Sequence, residues 1–254
     1  EKMAAPAVMK KKTEVLKVQA AWGGGIFLEN AKSYVDRVHA MAGKDLKIDL
    51  LSVNAVVKTS QMQDAVHRGV LDAAHYVPAY WYSKSKTASL FGTGPCFGWS
   101  SQEVLGWCHY GGGMELFNEL MGKLGLNVVS FFNSPMPAQP LGWFKEEIKD
   151  LKQLRGMKMR FFGLGARVMQ KIGVSTQLLA GGDIFPALEK GVIDATEFSM
   201  PAMDIKYGFY QIAKNNYFPG WHQQTSVSQL LVNKAKFDGL SDQRQAMIET
   251  ACGD

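Results

Sequence analysis

The chain has 254 residues, 28 basic and 23 acidic side chains and a net charge of +5, with 46% apolar and 11% aromatic residues. That apolar content excludes a disordered polymer, and the length accommodates one large domain or two lobes of roughly 100–150 residues each. Three cysteines (Cys96, Cys108 and Cys252) without CxxC spacing exclude a disulfide-dense scaffold and a cysteine-rich zinc site, although Cys96 and Cys108 are close enough in sequence for one bridge.

Glu1 to Lys12 lacks the apolar segment of a signal peptide, so the chain is either cytosolic or has lost its signal. Lys10 to Lys12 form the only basic run and read as a solvated tail, with no nucleic-acid partner implied. Leu16 to Trp22 then alternates Leu16, Val18, Ala20 and Trp22 on one face, the period of a strand, and Gly23 to Gly25 end it. A helix is expected from Glu29, with Ala31, Tyr34, Val35, Val38 and Ala42 on one face and Gly43 as its stop. Leu46 to Val53 reads as a second strand, Ser60 to Arg68 as a short helix stopped by Gly69, and VLDAAHY as a third strand. Ser100 and Glu103 have capping-box spacing and open a helical stretch that Gly111 to Gly113 must interrupt. The longest uncharged run, Leu124 to Phe144, carries Pro135, Pro137, Pro140, Asn127, Asn133 and Gln139, too heavy a polar and proline load for a lipid-exposed helix.

The second half repeats the plan. Met157 to Gly165 resembles the first strand and its glycine turn, Ala166 to Ile172 a helix, VSTQLL a strand, and Asp183 to Lys190 a helix stopped by Gly191. AVHRGVLDAAHYVPA (Ala65 to Ala79) aligns with ALEKGVIDATEFSMPA (Ala187 to Ala202) with one added residue. Alternating strands and helices in two copies predict an α/β protein with largely parallel sheets, built as two similar lobes. Ligands of such folds sit beyond the carboxyl ends of the strands. The loops there are Trp22 to Phe27, Tyr76 to Tyr82, Phe162 to Gly165 and Thr196 to Met203, all rich in aromatics or glycine.

GLGARVM (Gly163 to Met169) has part of a dinucleotide fingerprint, but Val168 stands where the third glycine belongs. P-loop, HExxH and GxSxG patterns are absent, so no nucleotide cofactor and no catalytic motif is indicated. Arg160 stands near the end of its strand among aromatics, where a guanidinium fork matches a carboxylate bidentately.

The run AQPLGWF, RGMKMRFFGLGARVMQKIG, GGDIFPALEKGVIDATEF, MDIKYGF and YFPGWHQQ resembles the periplasmic solute-binding component of TRAP transporters, in the branch that binds 2-oxo acids and related small carboxylates with a metal ion. The resemblance implies a fold of two α/β lobes closing on a cleft, of the type II-like periplasmic binding protein kind, with one lobe at 13–130 plus 230–254 and the other at 131–229. It places the carboxylate-binding arginine on Arg160 and a metal, Na⁺ or Ca²⁺, on Gln139, Glu197, the backbone carbonyl of Phe198, and Gln223. Where family members carry an acid after Trp-His, this chain has Gln223, which bears on the metal's charge balance. The implied partners are a small carboxylate ligand and the TRAP permease subunits in the membrane, with a homodimer allowed. The implied location is the periplasm, the signal peptide having been removed and the C-terminus truncated at Asp254.

Trp22, Phe27, Tyr80, Phe162, Phe198 and Trp221 are expected to wall the ligand and leave room for few carbons beyond its carboxylate, as in pyruvate or lactate. The alternative is a metal-dependent lyase or aldolase acting on 2-oxo acids, whose general base or Schiff-base amine would have to be His222 or Lys84.

Overall fold

The alternation of strand and helix periods resolves into two five-stranded sheets in the computed structural model, which describes residues 12–93 and 98–253. In the first, β1 (Glu14–Ala20) and β2 (Leu46–Leu51) run parallel with α1 (Gly25–Ala42) between them in sequence. After α2 (Met62–His67), β3 (Ala73–Tyr76) pairs with the other side of β1. Then α3 (Lys86–Gly92), α4 (Ser101–Tyr110) and α5 (Gly113–Lys123) lead to β4 (Val128–Met136). The chain crosses to the second sheet at β5 (Gly142–Phe144) and builds it from β6 (Lys158–Arg160), α6 (Gly165–Lys171), β7 (Ser175–Gln177), α7 (Gly181–Glu189), β8 (Ala195–Thr196), α8 (Pro201–Lys206) and β9 (Asn215–Tyr217). It returns through β10 (Ser226–Asn233) to the first sheet and ends in α9 (Lys234–Asp238) and α10 (Asp242–Gly253).

The strand orders are β2-β1-β3-β10-β4 and β7-β6-β8-β5-β9. Position by position these are the same sheet, each with a single strand, β10 or β5, running against the other four. The sequence echo falls on equivalent places: β3 and β8 both lie third, each after a glycine with positive φ (Gly69, +74°; Gly191, +69°). The side chains agree. Lys17 N–H donates to Asp72 at 2.8 Å as Lys158 N–H donates to Asp194 at 3.0 Å. With β3 and β8 aligned, Gln19 occupies the place of Arg160, and each donates to a carbonyl beyond the neighbouring strand (Val57 at 2.8 Å, Leu179 at 3.1 Å).

The apolar face read for α1 is its buried face, but the helix starts at Gly25, four residues before Glu29, because the glycines turn the chain straight into it. The strand reading of Leu16 to Trp22 assumed one buried face; Gln19 is fully buried as well, since helices cover both faces of a parallel sheet. Ser100 and Glu103 form the capping box, and the glycines separate α4 from α5. The uncharged run Leu124 to Phe144 becomes β4 and β5, and no helix among the described residues is long and apolar enough to cross a membrane. The lobe divisions expected at 130/131 and 229/230 fall inside β4 and β10, which pair wholly within the first sheet; the crossings run through 137–141 and 218–225. Cys108 and Cys252 are buried, and Cys96 lies outside the described residues.

Candidate functional site

Four aromatic loops converge where the strand ends of the two sheets face each other. Trp22 and Phe27 follow β1, Val77 and Tyr80 follow β3, Phe162 follows β6 and Phe198 follows β8, and all border one cavity of about 30 Å³. The rings interlock across the cleft: Phe27 meets Phe198 edge to face at 6.4 Å, and Tyr80 meets Phe162 at 5.3 Å. Trp22 donates its indole N–H to the Tyr80 hydroxyl at 3.3 Å, fixing both walls. A carbon at the Cα of Gly25 would lie 2.4 Å from Met203 Sδ, so α1 and α8 approach as closely as a glycine permits.

Arg160 reaches this cavity from the end of β6, where alternation turns Met159 into the lobe core and Arg160 to the opposite side. Its guanidinium is almost fully buried. Nη1 donates to Glu197 Oε1 at 2.7 Å and to the Glu197 carbonyl at 2.9 Å, and Nε donates to the Leu179 carbonyl. The rings of Phe162 and Phe198 each lie 5.4 Å from its central carbon. Among the described residues none of these bonds uses Nη2.

Phe198, Gln139 and Gln223 close the cavity on the second lobe's side, with Glu197 bonded to Arg160 and His222 set against Gln139 behind them. Gln139 donates its amide to the Phe198 carbonyl at 2.7 Å, and its oxygen lies 3.2 Å from His222 Nε2. The backbone holds this group together, with Gln139 N–H on the Gln223 carbonyl and Gly220 N–H on the Gln139 carbonyl. Burial pushes the Glu197 carboxyl above its ordinary range, opposed by the Arg160 charge and the Phe162 amide. Burial, aided by Arg160, lowers His222 to about 3, so its ring is neutral at physiological pH.

Two buried oxygens here, Glu197 Oε2 and Gln223 Oε1, have no hydrogen-bond partner among the described residues. Leaving such atoms unpaired costs roughly 1–3 kcal/mol each, so they mark places that a bound group completes. Together with the Phe198 carbonyl and the Gln139 amide they form an all-oxygen donor set of the kind that holds a hard cation. Among the described residues no group of three or more His, Cys, Asp or Glu is placed to hold a metal.

Of the residues singled out in the sequence, Trp22, Tyr80, Gln139, Arg160, Phe162, Phe198 and Gln223 all border the cavity, with Glu197 bonded directly behind. Trp221 does not. It stacks on Phe161 at 6.4 Å and packs against the second lobe's core, because the chain turns His222 and Gln223 inward instead. Lys84 is also elsewhere, paired with Asp64 at the surface. Met136, Ser226 and Ser228 border the cavity without having been anticipated, since neither β4, which ends at Met136, nor β10 was read as a strand; for β10 the polar–apolar alternation Ser226, Val227, Ser228 was the available signal.

The model of the family described as bacterial extracellular solute-binding protein, family 7, matches residues 25–254. The chain belongs to this family. A curated relative from Nostoc sp., a monocarboxylate 2-oxoacid-binding periplasmic protein, is 35% identical over 227 residues, covering 89% of this chain and 61% of its own length. The chain thus spans about three-fifths of that relative. A TRAP transporter solute-binding protein from Bordetella bronchiseptica, a mixed-occupancy dimer with copurified calcium and picolinate, superposes with a TM-score of 0.90 at 33% identity, over 95% of this chain and 71% of that one. A TRAP periplasmic solute-binding protein from Pseudoalteromonas atlantica with bound sodium and pyruvate gives 0.89 at 30% identity, over 95% and 73%. The two-lobed family 7 fold is therefore shared along almost the whole chain.

Proposed function

We propose that this chain is the ligand-capturing part of a TRAP solute-binding protein, taking a small monocarboxylate such as a 2-oxo or 2-hydroxy acid, with Na⁺ or Ca²⁺, in the extracytoplasmic space. The observation that carries the reading is the juxtaposition of Arg160 with Glu197 Oε2 and Gln223 Oε1, buried oxygens without a hydrogen-bond partner among the described residues, at a cavity walled by aromatics from both sheets. Arg160 meets the carboxylate, and its bonds to Glu197 and Leu179 hold the guanidinium in place before the ligand arrives. Glu197, Gln223, the Phe198 carbonyl and Gln139 would hold the cation, which supplies positive charge to the ligand's other oxygens. Trp22, Phe27, Tyr80, Phe162 and Phe198 exclude water, and charge contacts strengthen as the local dielectric falls.

Closure of the two lobes, divided at the crossing segments, presents the loaded form to the permease in the membrane. Neither candidate base suits the lyase reading: Lys84 is paired with Asp64 at the surface, and burial lowers His222 to about 3, which makes its ring a weak base. Calorimetric titration of pyruvate into the purified chain, with and without exhaustive chelation, tests the proposal. Metal-dependent binding without turnover is expected; pyruvate consumption, or no heat with any C3 to C6 monocarboxylate, refutes it.

A further inference from the structure

Relatives with this fold have been solved with cations of either valence, calcium in one and sodium in another, so the fold does not decide which this chain takes. Its own charges do. Among the described residues Arg160 is the only formally charged side chain that borders the cavity, Glu197 is bonded to it at 2.7 Å, and the buried Asp204 behind them, held by Trp143 at 2.9 Å and by the Ser199 amide at 3.0 Å, is pushed by burial up to about 8 and is mostly protonated at neutral pH. Arg160 and Glu197 sum to zero before anything binds. Of the remaining candidate donors, Gln223 Oε1, the Phe198 carbonyl and the Gln139 amide are neutral.

A monocarboxylate and a monovalent cation enter such a site as a pair of net charge zero. A divalent cation with the same ligand leaves one positive charge in a cavity sealed by aromatic rings, and buried charge without a partner is strongly disfavoured. The donor count points the same way. Tight Ca²⁺ sites gather several carboxylates, and affinity rises with their number; among the candidate donors named here Glu197 is the one carboxylate. Resting on the monocarboxylate reading above, we propose that this chain selects a monovalent cation, sodium, over calcium, and that the neutral amide of Gln223 sets the preference.

The test is pyruvate calorimetry on chelator-treated protein at constant ionic strength, with choline, sodium or calcium chloride, accompanied by thermal shift with each cation alone. Sodium is expected to tighten pyruvate binding at least about tenfold more than saturating calcium. Gln223→Glu, which adds the second negative charge, is expected to reverse the order, with calcium alone then raising the melting temperature more than sodium. Equal or stronger support from calcium in the native chain overturns the inference while leaving the carboxylate reading intact. So does an unchanged order in a folded Gln223→Glu protein. Pyruvate binding that is indifferent to both cations removes the cation site and the inference with it, whereas no binding in any salt refutes the ligand reading itself.

Discussion

Removing Arg160 tests both halves of the site at once, because the same side chain that meets the ligand also neutralises a buried acid. In Arg160→Met the bonds to Glu197 Oε1, the Glu197 carbonyl and the Leu179 carbonyl all disappear, and Glu197 remains without its counter-charge in a region with almost no solvent contact. Breaking one side of a buried pair costs about 3–5 kcal/mol. For a chain of this size about 2–4 °C of melting temperature corresponds to each kcal/mol, so a fall of about 6–20 °C is expected. The double variant Arg160→Met/Glu197→Gln removes both charges and should recover more than half of that fall, since no unpaired ion is left. Pyruvate binding should not recover: losing a desolvated charge partner costs about 2–5 kcal/mol, or about 30-fold to several thousand-fold in Kd. Differential scanning calorimetry on the three proteins and titration calorimetry with pyruvate separate the effects. A single variant melting within about 2 °C of the native chain would refute the account of the pair, and a double variant binding with native affinity would refute the role of Arg160.

Glu197→Gln should lose the metal-dependent part of pyruvate affinity, as exhaustive chelation does; unchanged affinity in both cases would make Glu197 merely structural. Because one guanidinium is the only cationic side chain among the described residues that borders the cavity, C3 to C6 monocarboxylates should raise the melting temperature more than C4 dicarboxylates, and the opposite ranking in a thermal-shift screen would contradict the assignment. A Cβ at Gly220 would stand 2.8 Å from the Gln139 carbonyl, the Pro140 carbonyl carbon and the Leu141 nitrogen. Gly220→Ala must therefore shift the segment that carries Gln139, and at least a tenfold loss of pyruvate affinity is expected by titration. His75 is buried beside Trp22 with neither ring nitrogen bonded, and burial lowers it to about 4. The unfolded chain takes up a proton near pH 6.5 that the folded chain refuses until about pH 4, so stability is lost as pH falls through that window. His75→Leu should recover about 2 kcal/mol relative to the native chain by pH 5, read as a melting temperature that declines less on acidification; parallel pH profiles would show His75 to be solvated.

The first sheet's parallel strands and α1 were legible because their apolar spacing matches burial on a face, and Arg160 because a cation flanked by phenylalanines at a strand end has few other uses. The repeat at Ala65 and Ala187 proved to be the same third strand of two equivalent sheets. What escaped was long-range. β10 lies beside β4 across nearly 100 residues, as Ser130 reaching Gln229 shows, and no local pattern states that the chain returns to its first sheet. Trp221 was assigned to the wall as a bulky residue of the PGWHQQ segment, but that segment is irregular, so no period states which of its side chains turns inward; Gln223 reaches the cavity while Trp221 stacks on Phe161. The start of α1 was misplaced for a different reason. Three glycines carry no side-chain signal, and Gly25 is required by its left-handed φ of +65° and by Met203 lying against it.

Gln19 and Arg160, twin positions of a doubled architecture, divide the labour of recognition unequally. Every charged element of the site lies on the second sheet's half, already assembled by contacts within that half, while the first half offers Trp22, Phe27, Tyr80 and two serine hydroxyls. An open protein can thus seize an anion on one jaw alone and judge its shape only as the other jaw shuts. Diversification of this scaffold toward bulkier acids would then proceed through the uncharged jaw, with the electrostatic anchor left untouched.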